Sequence, residues 1–437
     1  MEGNLMKAML DLVARHKAGG AVGITSVCSA HPLVVEATFA HALKVGSEIT
    51  LIEATCNQVN QDGGYTGMTP ADFVAFVYAI ADKVGLARDR IVLGGDHLGP
   101  NPWTHLAADA AMAKAEVLVA QYVAAGFRKI HADCSMSCAD DPVPLPEAVI
   151  ARRAAQLIAI AENTHREVGG EAPVYVIGTE VPVPGGAHED LPELEVTTPA
   201  AALATIGTHK AIFSELGLST AWPRVIATVV QPGVEFDHHK VIDYDRAKAA
   251  RLSRALDGQA TLVFEAHSTD YQTPRALKEL VEDHFAILKV GPGVTFALRE
   301  ALWALDAIER EWIAPDRQSH FRDVVVERMT ADPRNWAKYY HATGADLKFD
   351  LQYSLSDRIR YYWPDGEITL AQRALFDNLA EQVPPLALIS QYLPDAYAII
   401  RDGGLELTPE NLVIAHVGAT LDAYHAACTP ALELIDA

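Results

Sequence analysis

Residues 91–100 read IVLGGDHLGP. Three aliphatic residues, Ile91, Val92 and Leu93, lead into two glycines, an acid, an imidazole and a Gly-Pro stop. Apolar residues that run on without alternation predict a strand covered on both faces, as in a parallel sheet. Working outward, the same build recurs at 21–27, 49–54, 128–132, 174–180, 225–230, 261–266 and 285–290. Amphipathic stretches separate these runs. Thr69-Pro70-Ala71-Asp72 sets a capping threonine before a first-turn proline and an acid, and Phe73, Val77, Ile80 and Val84 then share one helical face. Thr198-Pro199 and Thr273-Pro274 repeat the device. Eight strand–helix alternations predict an α/β chain whose residues 1–314 form a (β/α)8 TIM barrel. The competing doubly wound sheet would carry a GxGxxG turn after its first strand, and here Gly19-Gly20 precede that strand. Past 314 the rhythm changes to helical segments at 316–329, 370–382 and 409–428. No Gly/Ser linker intervenes, so 315–437 reads as a C-terminal helical extension packed on the barrel.

Composition narrows the function classes. The chain has 437 residues, 50% of them hydrophobic, and Lys+Arg 35 against Asp+Glu 57 leave a net charge of −22. Such a field repels phosphate backbones and anionic lipid, so neither nucleic acid nor a membrane surface is an expected partner. The first twenty residues lack the features of a signal peptide, and no uncharged apolar run reaches the ~18 residues of a membrane span. Five cysteines without a CxxC pair read as free thiols in a reducing compartment. A soluble cytoplasmic protein is expected.

Barrel chemistry gathers at the C-terminal ends of the strands. Those ends carry Asn57-Gln58, Asp96-His97, His131 with Asp133, Glu180, Gln231, His267-Ser268-Thr269 and Lys289. Imidazoles beside carboxylates suit a divalent cation such as zinc or manganese. His97, Glu180 and His267 are the expected ligands, with Gln231 or Asp133 as further ones; a buried polar network without metal would use the same residue types. Asp96, next to His97, is placed to exchange protons with a substrate held there, or else to cap the following turn. Gly291-Pro292-Gly293 precedes a helical stretch at 294–308 and would present backbone N–H groups to a phosphate, with Ser268 adding a hydroxyl. A tight strand-to-helix turn would need the same glycines. Arg358 and Arg360, in DRIRYYWP, could grip an anionic group or a carboxylate of the barrel.

The stretches IEATCNQVNQDGGYTGMTPADF, GGDHLGPNPW, IHADCSMSCADDP, VIGTEVPVPGG, VVQPGVEFDH, EAHSTDYQT, ILKVGPGVTFALREA and YSLSDRIRYYWP closely resemble the non-catalytic subunit family of class II D-tagatose-1,6-bisphosphate aldolase. Older naming calls its members tagatose 6-phosphate kinases, but this sequence has no GxxxxGK[ST] loop and no nucleotide cofactor is expected. The resemblance runs from His16-Lys17-Ala18-Gly19 to Ser390-Gln391-Tyr392-Leu393-Pro394. It implies one of two roles in tagatose and galactitol catabolism. One is a metal-dependent epimerase (zinc, manganese or magnesium) that interconverts D-tagatose 6-phosphate and D-fructose 6-phosphate at carbon 4. The other is a stabilising partner of a separate catalytic aldolase subunit. An epimerase acting on the free ketohexose is a third possibility, and a homo-oligomer is expected. A fainter resemblance to catalytic class II aldolases implies proton exchange at Asp96 and metal binding at His97 and His267, with Glu180 matching their fifth-strand Glu. Gln231 stands where a metal-binding His is expected. On this reading Asp96, Glu180 and Asp133 are the catalytic carboxylates. The phosphosugar contacts are Asn57, Gln58, His131, Ser268, Lys289, Gly291, Gly293, Arg358 and Arg360.

Overall fold

In the computed structural model, which describes residues 5–178 and 194–430, each apolar run becomes a strand. These are β1 (Ile24–Cys28), β2 (Thr50–Thr55), β3 (Ile91–Leu98), β4 (Lys129–Ala132), β5 (Val174–Gly178), β6 (Val225–Val229), β7 (Val263–Ala266) and β8 (Phe285–Val290). They pair in parallel, each with its neighbours in sequence, and β8 pairs with β1 to close the barrel. A short antiparallel ribbon (Glu235–Phe236 with Val241–Ile242) follows β6. The outer helices include α2 (Pro32–Lys44), α3 (Pro70–Val84), α4 (Ala108–Ala125), α5 (Glu147–Val168), α6 (Pro199–Glu215), α7 (Arg246–Ser253) and α8 (Pro274–Glu282). The Thr-Pro starts cap as their chemistry requires. Thr69 accepts from the Asp72 N–H while Asp72 accepts from Thr69, and Thr198 and Thr273 accept from Ala201 and Ala276.

Strand β3 runs five residues past its aliphatic stretch, and the glycines in it and just after it serve close approach. A Cβ on Gly94 would lie 2.5 Å from Glu53 Oε1, and one on Gly99 would lie 1.7 Å from the Asp133 carbonyl oxygen. The barrel interior has two layers. At the N-terminal end Ile24, Leu51, Val92, Val174, Ile226, Val263 and Ile287 pack together, and α1 (Leu5–Arg15) plugs that end with Met6, Met9, Leu12 and Val13. Two residues further along, the inward positions turn polar: Leu51 gives way to Glu53, Val263 to Glu265 and Ile287 to Lys289. The period of two along a strand means that one face of each carries first an apolar and then a charged residue.

After β8 the long helix α9 (Pro292–Trp312) leads to α10 (Phe321–Ala331), α11 (Gly344–Tyr353), α12 (Gly366–Glu381), α13 (Leu386–Tyr392), α14 (Pro394–Arg401) and α15 (Pro409–Cys428). Helix α10 begins five residues later than the sequence suggests, after His320 at φ +52°. Helix α15 runs back along the barrel against α2, α8, α9 and β1. The Gly23 N–H donates to the Cys428 carbonyl (2.9 Å) and Tyr424 Oη to the Thr269 carbonyl (2.8 Å). The last helix of the C-terminal region is therefore part of the barrel's own helical shell. All five cysteines are free thiols, and among the described residues no helix is long and apolar enough to cross a membrane.

Candidate active site

A cavity of about 610 Å³ opens at the C-terminal ends of the strands. Asp96, His97, His267 and Lys289 form its floor, and Asn57, Gln58 and Ser268 stand on its walls. The C-terminal region roofs it with Arg360, Tyr361, Trp363 and Arg373.

Three imidazoles meet here, His97 and His267 on the floor and His131 buried against them. His97 from β3, His131 from β4 and His267 just after β7 have ring centroids 4.9, 4.9 and 5.4 Å apart. Each ring is held from behind. His97 Nδ1 lies 2.7 Å from Asp133 Oδ2, and His267 Nε2 lies 3.0 Å from Glu265 Oε1. His131 Nδ1 lies 3.0 Å from Asp96 Oδ1 and its Nε2 lies 3.3 Å from the Gly178 carbonyl. His97 and Ser268 hold left-handed backbone, with φ +49° and +53°. Such strain in non-glycine residues persists only where the surroundings impose it. One ligand atom from each of Asp96, His97, His131 and His267 falls within 4.8 Å of the others. Nitrogen donors fixed by carboxylates, with one carboxylate among them, are a donor set that could hold a divalent metal.

Beneath this set lies a buried ionic lattice. Lys129 Nζ sits 2.6 Å from Glu53 Oε1 and 2.7 Å from Glu265 Oε2, and Lys289 Nζ sits 2.5 Å from both Glu53 Oε2 and Asp96 Oδ2. Burial alone would discharge these groups, but their neighbours reverse that. Burial lowers Lys289, yet Asp96 and Glu53 lift it well above the usual ammonium range. Burial raises Asp96, yet His97 and Lys289 hold it well below the usual carboxylate range. Burial likewise raises Glu265, and Lys129 and His267 pull it back down. With Asp133 included, the carboxylates exceed the lysines by two charges, which matches one divalent cation.

Several sequence expectations change in the structure. Gln231 Oε1 accepts from the backbone N–H groups of Gly233 (2.7 Å) and Val234 (3.0 Å), so both lone pairs are spent on a turn and it is not placed as a ligand. His131, expected to touch the sugar, joins the imidazole set instead. Asp133, expected as a catalytic carboxylate, stands behind His97 with Oδ1 taken by the Ser135 N–H and hydroxyl (3.0 and 2.7 Å). Burial pushes its carboxyl up, but the His97 hydrogen bond holds it below the ordinary range. The Gly291 and Gly293 N–H groups both donate to Asp270 Oδ1 (2.9 and 2.7 Å), so a carboxylate already occupies the helix start expected to bind phosphate. Arg358 is buried behind the roof, its Nε donating to the Asn335 carbonyl (2.9 Å) and its guanidinium 3.5 Å from the Tyr339 ring centroid. Lys289 is on the cavity, but locked between carboxylates. Glu180 lies outside the described residues. The arrangement does bring Asp96, His97, His267, Asn57, Gln58, Ser268 and Arg360 to one cavity.

Sequence reasoning gave no role to Glu53, Lys129 or Glu265, which carry the lattice. Their signal was present: a charge inside an otherwise apolar strand, with a second polar residue two positions on, as in Lys129 and His131. It also missed Tyr361, a roof phenol 4.6 Å from Tyr65 by ring centroid. Burial raises this phenol, but Arg360 and Arg358 outweigh that and lower it to about 8.

The chain belongs to the D-tagatose-1,6-bisphosphate aldolase subunit GatZ/KbaZ-like family, whose sequence profile matches residues 9–429. A crystal structure described as a probable tagatose 6 phosphate kinase from Sinorhizobium meliloti 1021 is 51% identical, with a TM-score of 0.86 over 93% of this chain and 100% of that one. The fructuronate-tagaturonate epimerase UxaE from Cohnella laeviribosi is 14% identical, with a TM-score of 0.50 over 93% of this chain and 82% of that one, and shares the fold.

Proposed function

We propose that the protein is a divalent-metal-dependent epimerase that interconverts D-tagatose 6-phosphate and D-fructose 6-phosphate at carbon 4. The observation that carries this is the convergence of Asp96, His97 and His267 on the floor of one cavity with His131 buried directly against them, each imidazole braced by a carboxylate or a carbonyl. His97, His131 and His267 would hold the metal beside Asp96, and when bound it supplies Lewis acidity to the ketose carbonyl.

The hydrogen on carbon 4 is β to that carbonyl, so simple deprotonation cannot invert the centre. Retro-aldol cleavage can. Asp96 takes the proton of the 4-hydroxyl, the C3–C4 bond breaks, and its electron pair moves onto the carbonyl oxygen as an enediolate. The other half leaves as glyceraldehyde 3-phosphate, turns its opposite face to the enediolate, and the bond re-forms with the proton returned from Asp96. Lys289, 2.5 Å from Asp96, keeps a fixed positive charge at the developing anion. Asp133 and Glu265 orient His97 and His267. Asn57, Gln58 and Ser268 face the cavity as hydroxyl partners. A cytoplasmic homo-oligomer belongs to the same reading.

The family description names a subunit, which favours a second reading as the stabilising partner of a catalytic aldolase. The deciding test supplies D-tagatose 6-phosphate to the purified protein with manganese, zinc or magnesium, and again with chelator. Fructose 6-phosphate formed only with metal, without free triose phosphate, supports the epimerase. A folded, metal-loaded protein that makes none rules it out and leaves the subunit reading.

A further inference from the structure

The cavity floor is crowded with paired charges, which leaves open where an anionic end of the substrate would bind. The glycine turn after β8 is closed to it. Both of its N–H groups point at Asp270 Oδ1, and even a Cβ on Gly293 would lie 3.1 Å from that atom. A phosphate there would have to displace a buried carboxylate that already holds both N–H groups.

Three lysine or arginine side chains line the cavity: Lys289, Arg360 and Arg373. Lys289 is committed to Glu53 and Asp96. The other two come from the C-terminal region, and among the described residues neither is ion-paired. The described partner of Arg360 is the Tyr361 hydroxyl, at 3.3 Å. Elsewhere in the C-terminal region, buried or half-buried arginines find acids, as Arg299 does with Asp357 and Arg328 with Asp365. Asp377 and Glu410 line the same cavity, yet among the described residues neither arginine forms an ion pair, which leaves both guanidinium groups open to an anionic ligand. Their support is built as well. Arg358 stacks 4.7 Å from the Tyr361 ring centroid and is anchored to Asn335, and Tyr65 meets the same ring edge-on from the loop after β2.

We propose that Arg360 and Arg373, not the glycine turn after β8, bind the anionic group of the sugar substrate. The proposal rests on the reading that this cavity accepts a ketose. A planar guanidinium binds a phosphate monoester or a carboxylate through paired hydrogen bonds, so the ligand chemistry is a ketose or ketouronic acid with its anionic end at the roof and its carbonyl end at the imidazole floor.

The test is titration calorimetry on the metal-loaded, full-length protein with D-tagatose 6-phosphate, D-tagaturonate and free D-tagatose. The wild type should bind one of the two anionic sugars more tightly than D-tagatose, and which one identifies phosphate or carboxylate. Arg360→Met should weaken that sugar by about tenfold or more and Arg373→Met by several-fold, with D-tagatose changed less than twofold. Arg360→Lys, which keeps the charge but loses the fork, should fall between. If Arg360→Met does not fold, Arg360→Lys and Arg373→Met decide in its place. Equal affinity of the wild type for all three sugars overturns the proposal, and so does an unchanged preference in the variants. A protein that binds the anion through Arg360 but fails to epimerise loses only the catalytic reading. One that epimerises with variant affinities unchanged loses only this one.

Discussion

The floor and the roof of the cavity are built on opposite terms. On the floor Glu53, Asp96, Lys129, Glu265 and Lys289 are buried, and each touches at least one opposite charge. On the roof Arg360 is half-buried, Arg373 is exposed, and no carboxylate pairs with either among the described residues. The floor is carried by strands of a closed barrel, whose registers fix where each side chain stands. The roof is carried by helices and turns of the C-terminal region, where register imposes nothing. On the proposed reading, chemistry that needs atoms held in place would sit on the first, and recognition of a variable group on the second.

The largest expected effect lies on the floor. Asp96→Asn or His131→Ala should lower turnover by about a thousandfold or more, since both the proton acceptor and the metal set are touched. Steady-state assays at saturating metal measure it, and turnover retained within tenfold in both would move the chemistry away from the floor.

Lys129→Met probes the lattice itself. It leaves Glu53 and Glu265 buried without their shared cation, and should cost about 3–5 kcal/mol in denaturant unfolding. A cost near zero would mean that the lattice does not hold the floor together.

The sequence made much of this floor legible. Continuous apolar runs and Thr-Pro caps carry the barrel, and the Asp96-His97 pair marks its rim. What stayed hidden were demands made by the backbone. Nothing in the sequence shows that two N–H groups of a turn claim Gln231, or that Asp270, more than twenty residues away, fills the start of α9. His131 was seen as polar, but its place in the imidazole set depends on which strands neighbour β4 across the barrel.

Asp133→Asn keeps the size of the side chain but weakens its grip on His97. Metal affinity should fall by about tenfold to a hundredfold, read by competition with a chromogenic chelator. An unchanged affinity would reduce Asp133 to a packing role.

On the roof, Tyr361 gives the comparison a pH signature. Burial raises its phenol, but Arg360 and Arg358 bring it down to about 8, with Tyr65 as its other close titratable neighbour. As pH rises through 8 the phenolate forms beside Arg360 and offsets its charge, so affinity for the anionic sugar should fall several-fold between pH 7 and 9. Tyr361→Phe should abolish that slope; a slope kept in the variant would assign it to another group. The smallest effect belongs to the turn below the roof, where Asp270→Ala removes a helix cap and should cost about 1 kcal/mol in thermal or denaturant unfolding.

The most direct measurement is the metal content of the protein after equilibrium dialysis against zinc or manganese, by elemental analysis of the wild type, His97→Ala, His131→Ala and Gln231→Ala. One ion per molecule in the wild type and in Gln231→Ala, lost in both histidine variants, is the predicted result. No stoichiometric ion in the wild type, or an ion kept in both histidine variants, would contradict the account.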